Sequence, residues 1–199
     1  MSNDPLIEQL AEKYTLEEVY AIAKDCVRCP LSQSRTKVVF GEGDSQTKLM
    51  FVGEAPGEQE DIQARPFVGR AGKFLDQLLK LADLDRSKVY ITNTVKCRPP
   101  NNRKPRKGEM EKCSPYLKKQ IELIKPKVIC ILGSSSLEAL LGKTGPISEL
   151  RGKPIEKEEI TYFVTFHPAA TLYNPAAKED MERDMLSLKE LLERKKIRI

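Results

Sequence analysis

Lys48-Leu49-Met50-Phe51-Val52 leads directly into the turn Gly53-Glu54-Ala55-Pro56-Gly57. A short apolar run that does not alternate, cut off by glycine and proline, reads as a strand buried on both faces. The same form recurs along the chain, with strands expected over residues 89–95, 128–132 and 160–166. Amphipathic segments separate them: helices are expected over 72–82, over 107–124 with Pro126 closing it, over 135–141 and over 176–195. Upstream, Asp4-Pro5 opens a short helical pattern, and Thr15-Leu16-Glu17-Glu18 forms a capping box ahead of a helix that runs to about Asp25.

The resulting order is βαβαβαβα. Strands joined through helices pair in parallel, so the fold class is α/β, with a central parallel sheet covered by helices on both faces. Ligands of such folds sit beyond the carboxyl ends of the strands. Four loops leave those ends here, beginning at Gly53, Asn93, Gly133 and His167.

A chain of 199 residues fits one domain spanning 1–199, and 40% hydrophobic content fits a globular one. The first thirty residues lack a basic start followed by a long apolar run, and no stretch has the length a membrane helix needs. A soluble, cytoplasmic protein with no membrane partner is therefore expected. The 34 Lys and Arg against 29 Asp and Glu give a net charge of +5, which permits a polyanionic partner.

An odd count of five cysteines argues against a disulfide framework and directs attention to metal binding. Cys26-Val27-Arg28-Cys29-Pro30 places two thiols within reach of one centre, and Cys97 and Cys113 can complete a four-thiolate set. Zinc sites usually pair two tight knuckles; the fifteen residues between Cys97 and Cys113 suit a 4Fe-4S cluster better. Zinc, or four unrelated thiols, are the other readings of the same spacing. Cys130 lies inside an apolar run and belongs to the core. A cluster would tie the N-terminal helix to the loop 98–107 and present Arg98, Arg103, Lys104, Arg106 and Lys107 together towards phosphate. Without a partner, the same run is a solvated basic loop.

Several motifs occur in a fixed order: Gly53-Glu54-Ala55-Pro56-Gly57, Pro66-Phe67-Val68-Gly69-Arg70-Ala71-Gly72, Asn93-Thr94-Val95-Lys96-Cys97-Arg98-Pro99-Pro100 and His167-Pro168, with the only histidine of the chain in the last. In these the chain resembles the family 4 uracil-DNA glycosylases, from about Cys26 to the final helix. The resemblance implies a three-layer αβα sandwich around a four-stranded parallel sheet, and a largely structural 4Fe-4S cluster on Cys26, Cys29, Cys97 and Cys113. It also implies excision of uracil from single- and double-stranded DNA by a monomer, in the cytoplasm and on the nucleoid of a prokaryotic or archaeal cell.

The matched positions have a physical logic. Uracil must leave the base stack to be reached. Phe67 would supply a stacking surface. The Asn93 amide can accept from N3–H and donate to O4, a pairing that cytosine reverses. Neutral His167 would donate to O2 as charge builds on the departing base. Glu54 is the carboxylate expected to stabilise the sugar cation and orient water; family 1 relatives carry an Asp one position later, where this chain has Ala55. Ala55 and Glu60 are expected to line the uracil pocket. Gly133-Ser134 resembles a phosphate-gripping loop, and Leu172 is the expected wedge into the duplex, with Tyr173 its rival.

Two further functions fit parts of the pattern: an iron-sulfur electron carrier, which leaves Asn93 and His167 unused, and a zinc-stabilised nucleic-acid-binding module without catalysis. No peptide for docking a replication clamp stands out.

Overall fold

The computed structural model describes residues 4–11 and 13–199. Its centre is a sheet of strands β1 (Glu42–Gly43), β2 (Leu49–Gly53), β3 (Tyr90–Asn93), β4 (Val128–Leu132), β5 (Pro154–Lys157) and β6 (Ile160–Thr165), in the order β1-β3-β2-β4-β6-β5. The four expected strands, β2, β3, β4 and β6, are parallel neighbours. The expected central four-stranded parallel sheet is present, and antiparallel β1 and β5 extend its two edges to six strands in all. These additions escape pattern reading for physical reasons. β1 has two residues, and β5 begins at a proline and is largely exposed, as edge strands tolerate.

The central strands carry no alternation because both faces are covered: every residue of β2 and β4 is buried. On one face Leu49, Phe51, Ile91, Cys130 and Phe163 pack against helices α4 (Arg70–Leu81) and α8 (Ala176–Arg194) through Leu75, Leu78, Leu79, Met181, Met185 and Leu188. On the other, Met50, Val52, Ile129, Ile131 and Val164 meet α5 (Lys107–Ile124), α6 (Ser134–Leu141) and α7 (Ile147–Leu150). The three-layer αβα arrangement follows. Each fully buried Leu, Ile or Phe contributes about 1.5–3 kcal/mol through removal from water.

Local chemistry sets the ends of these elements. Thr15 and Glu18 close a capping box on α2 (Leu16–Lys24), and Asp4 caps α1 (Pro5–Gln9). Pro115 inside α5 cannot donate to the Glu111 carbonyl, and the Ser114 hydroxyl donates to it instead at 2.9 Å. β3 stops at Asn93, two residues earlier than expected: the Thr94 and Val95 amides turn to the Gly53 and Glu54 carbonyls. A third apolar cluster joins Leu6, Val19 and Leu31 to Val95, Cys97, Met110 and Cys113, so the N-terminal helices rest on the cysteine region.

The strand order places a topological switch at β2, since β3 lies on one side of it and β4 on the other. Loops leaving β2 and β4 therefore diverge, and a crevice opens at their carboxyl ends.

Candidate active site

A cavity of about 380 Å³ occupies that crevice. Glu54, Ala55 and Gly57 line it from the loop after β2, Glu60 from α3 (Glu58–Gln63), Asn93 from the end of β3, and His167 from the end of β6. Phe67 completes the wall from the loop that precedes α4.

Gly53 and Asn93 are register partners on β2 and β3. A Cβ on Gly53 would stand 2.5 Å from both the Asn93 amide oxygen and Cζ of Phe67, so only glycine lets these two side chains enter the cavity together. Phe67 adopts a left-handed backbone conformation with φ of 52°, which costs a non-glycine residue energy and needs support. Glu60 gives that support: its Oε1 accepts from the Val68 and Gly69 amides at 2.9 and 2.8 Å. Gly72 gives more, since a Cβ there would lie 1.9 Å from the Phe67 carbonyl oxygen.

His167 caps the short 3-10 helix Pro168–Leu172, with Nδ1 accepting from the Ala169 amide at 3.2 Å. An accepting Nδ1 leaves the proton of a neutral ring on Nε2. Burial lowers the imidazole pKa to about 4, which keeps the ring neutral at physiological pH. The Phe67 and His167 rings lie 5.6 Å apart at a 32° tilt. Among the described residues, three buried side-chain polar atoms lack a partner, and two of them are Asn93 Oδ1 and His167 Nε2. An acceptor and a donor, each buried and unsatisfied, thus line one cavity. Native interiors rarely leave such atoms unpaired without a ligand or water to meet them.

The rim is basic and apolar. Arg70 and Arg103 border the opening, with Leu172 at 45% and Tyr173 at 88% relative exposure. The Arg103 guanidinium is bidentate on Glu109 at 2.8 and 2.6 Å, while Arg98 donates to Asn102 at 2.8 Å. These bonds stiffen a loop in which Asn101 and Asn102 both have positive φ.

Cys26, Cys29, Cys97 and Cys113 line a second, separate cavity with Arg35, Lys96 and Tyr116. Two N–H donors point at these sulfurs. Arg35 donates to Cys97 Sγ at 3.4 Å and the Lys96 amide to Cys113 Sγ at 3.3 Å. The fully buried Lys96 ammonium contacts three neutral oxygens, those of Thr92, Asn93 and Gln120 at 2.6, 2.8 and 2.6 Å, and Cys97 and Cys113 charge would balance it. Burial is the largest cause that pushes the Cys97 thiol up to about 11 and Cys113 up to about 12, against the lowering effect of Arg35 on the first and of Lys96 on the second. Ionising them at neutral pH therefore requires a bound cation or cluster. Among the described residues no group of three His, Cys, Asp or Glu side chains is arranged to hold a metal ion. Cys130 is fully buried in β4, as expected.

The family model of the uracil DNA glycosylase superfamily matches residues 40–188. A type-4 uracil-DNA glycosylase of Sulfurisphaera tokodaii is 47% identical over 186 residues, covering 89% of this chain and 84% of that one. The type-4 enzyme of Thermotoga maritima is 48% identical over 170 residues, with 81% and 87% covered, and that of Archaeoglobus fulgidus 40% over 189, with 91% and 95% covered. The chain belongs to the type-4 uracil-DNA glycosylases.

In this glycosylase the structure brings together Glu54, Ala55, Glu60, Phe67, Asn93, Arg103, His167 and Leu172 around one cavity. Arg98, Lys104 and Ser134 are not among the residues lining it; Arg98 and Lys104 adjoin Pro99 and Arg103, which are, while Ser134 is exposed at the start of α6. Sequence inspection passed over Arg70 and Asn102 at the rim, and Ser135, whose hydroxyl lies 2.5 Å from Glu54 Oε2. Arg70 was within reach, because it sits in the Pro66–Gly72 motif; Ser135 is one of three consecutive serines that nothing in the sequence tells apart.

Proposed function

We propose that this glycosylase hydrolyses the bond between uracil and deoxyribose in DNA and leaves an abasic site. The observation that carries this reading is the unsatisfied pair in one cavity, an acceptor on Asn93 and a donor on His167. Uracil offers N3–H to the first and O2 to the second. The Asn93 amide NH2 donates to O4, and cytosine, with its ring acceptor and exocyclic donor, meets like with like at both positions. Phe67 stacks on the extruded ring, while Ala55 and Glu60 close the pocket around it.

The C1′–N1 bond breaks with its electron pair leaving on uracil, where the charge spreads to O2. His167 Nε2–H stabilises that oxygen from a neutral, desolvated ring. The sugar develops positive charge, and the Glu54 carboxylate stabilises it. Water adds its oxygen to C1′ and releases its proton to Glu54 or to solvent. Leu172 fills the space that the extruded nucleotide vacates. Arg98, Arg103, Lys104 and the Ser134 amide at the start of α6 hold flanking phosphates, so both single- and double-stranded DNA serve as substrate.

The cysteine cavity fits a 4Fe-4S cluster. A single ion needs its sulfurs about 2.3 Å from one point, whereas a cluster takes one cysteine on each iron around a shared space, and all four thiols line one cavity. Cys26, Cys29, Cys97 and Cys113 would hold it. It would cross-link the end of α2, the segment after β3 and α5, which together support the basic loop. The protein acts as one domain over 1–199, as a monomer, and in the cytoplasm; no helix among the described residues is long and apolar enough to cross a membrane.

The test is incubation of the purified holoprotein with end-labelled oligonucleotides carrying one uracil, one thymine mismatch or one hypoxanthine, followed by alkali. Cleavage only at uracil is expected. Intact DNA in every lane, with the cluster present, would overturn the proposal.

A further inference from the structure

We infer that Ser135 is a positioning residue for this hydrolysis: its hydroxyl holds one oxygen of Glu54 and turns the other towards the sugar. The inference rests on the reading of Glu54 given above.

The two residues meet because of the strand order. β2 and β4 pair in parallel, Val52 opposite Ile131, and the chain leaves them at the switch point with Glu54 on one loop and Ser135 in the first turn of α6 on the other. The Ser135 hydroxyl donates to Glu54 Oε2 at 2.5 Å, across eighty-one positions of sequence. A short O–H···O⁻ contact of this kind belongs to the strong, charge-assisted class. Glu54 Oε1 makes no hydrogen bond among the described residues, and Glu54 lines the cavity. One oxygen is thus anchored, and the other is free for water or the sugar.

The neighbouring serines show that the contact is particular. Ser134 is exposed, and Ser136 makes an ordinary helical bond to the Leu132 carbonyl at 3.3 Å. α6 itself makes no use of the Ser135 side chain, since its N-cap is Gly133 and no side-chain capping bond is present. Gly133 has φ of 90°, and a Cβ on it would come within 3.0 Å of His167 Cβ. The same turn therefore admits His167 on one side and delivers Ser135 to Glu54 on the other. A fully buried hydroxyl with no helical duty, spent on a half-buried carboxylate in the cavity wall, is the arrangement that fixes a reacting group in advance.

The experiment is single-turnover uracil excision from a single-stranded oligonucleotide, with DNA affinity measured in parallel. It uses full-length holoprotein carrying Ser135→Ala, Glu54→Ala or both. Alanine at position 135 removes one oxygen and adds no heavy atom, and for every variant thermal unfolding with the visible spectrum checks that fold and cluster persist. Ser135→Ala is expected to slow excision on the order of 10- to 100-fold, with affinity changed less than about 2-fold. In the Glu54→Ala background it should change the rate by less than about 2-fold, because the serine acts through the carboxylate. Wild-type rates in Ser135→Ala beside a slowed Glu54→Ala would overturn the inference and leave Glu54 in place. Equal slowing in both backgrounds would make Ser135 merely structural and overturn it as well. Glu54→Ala at the wild-type rate would remove Glu54 from the chemistry, and this role of Ser135 with it.

Discussion

The amide oxygen of Asn93 lies so close to Gly53 that a Cβ on that glycine would stand 2.5 Å from it. The same Cβ would meet the Phe67 ring at 2.5 Å, so one methyl group displaces both the side chain proposed to read the uracil edge and the one proposed to stack on its face. A shift of about 1 Å in a positioning group can cost roughly 10²-fold in rate. Gly53→Ala is accordingly expected to lower single-turnover excision by about that factor, while circular dichroism keeps its native shape. An unchanged rate would show that the cavity wall yields without effect.

Asn93→Asp tests the edge-reading directly. The carboxylate keeps an acceptor for N3–H and loses the donor to O4, and its charge faces a buried cavity that offers Asn93 Oδ1 no partner. Sites that lose a hydrogen bond to substrate in this way commonly discriminate by several orders of magnitude. Excision should fall about 10²-fold or more; single-turnover rates equal to wild type would take Asn93 out of the pocket.

The parts of the site that were legible in the sequence are those that sit where a strand ends. Asn93 and His167 follow apolar runs, and strand ends of a parallel sheet point to one crevice, so their meeting follows from topology. Phe67 was legible only as part of a motif, because its placement depends on a left-handed backbone and on Glu60, seven positions away, accepting from the two amides that follow it. Ser135 was hidden. Its identity as the partner of Glu54 depends on the register between β2 and β4 and on the turn at Gly133, and neither leaves a trace in residue type. Edge strands β1 and β5 were hidden for another reason: edge pairing rests on backbone hydrogen bonds, which any sequence can make.

His167 gives the protein a pH signature. Burial holds its folded pKa at about 4 against an ordinary 6.5, so between those values the unfolded chain binds more protons than the folded one. The contribution of neutral His167 to stability is fully present above about pH 6.5 and is lost as pH falls towards about 4. Protonation at Nδ1 also sets N–H against the Ala169 amide and breaks the cap of the loop carrying Leu172. The unfolding free energy of wild type relative to His167→Ala should be flat from about pH 9 to 7 and decline below it. A difference that stays constant down to about pH 4 would contradict a buried neutral ring.

The cysteine cavity predicts a separable defect. Cys97→Ser replaces a buried sulfur that accepts from Arg35, at a place where the N-terminal helices, Met110 and Cys113 pack together. Brown colour and broad visible absorption should be lost, and proteolysis should open the chain first around residues 98–107, while the sheet core persists. Retained colour in that variant would exclude Cys97 as a ligand.

Glu60 separates support of the pocket from chemistry in it. Its Oε1 satisfies two amides that would otherwise be left without acceptors beside a strained Phe67, and each such loss costs about 1–3 kcal/mol. A Cβ on Gly57 would lie 2.7 Å from its other oxygen, Oε2, so the side chain has little room to move. Glutamine keeps an acceptor at Oε1 and nearly the same shape; alanine keeps neither. Glu60→Ala should therefore lower the thermal midpoint by several degrees and weaken binding of an abasic-site product analogue carrying free uracil, with Glu60→Gln close to wild type in both. If Gln and Ala behaved alike, charge at Glu60 rather than its grip on the Phe67 loop would be what the pocket requires.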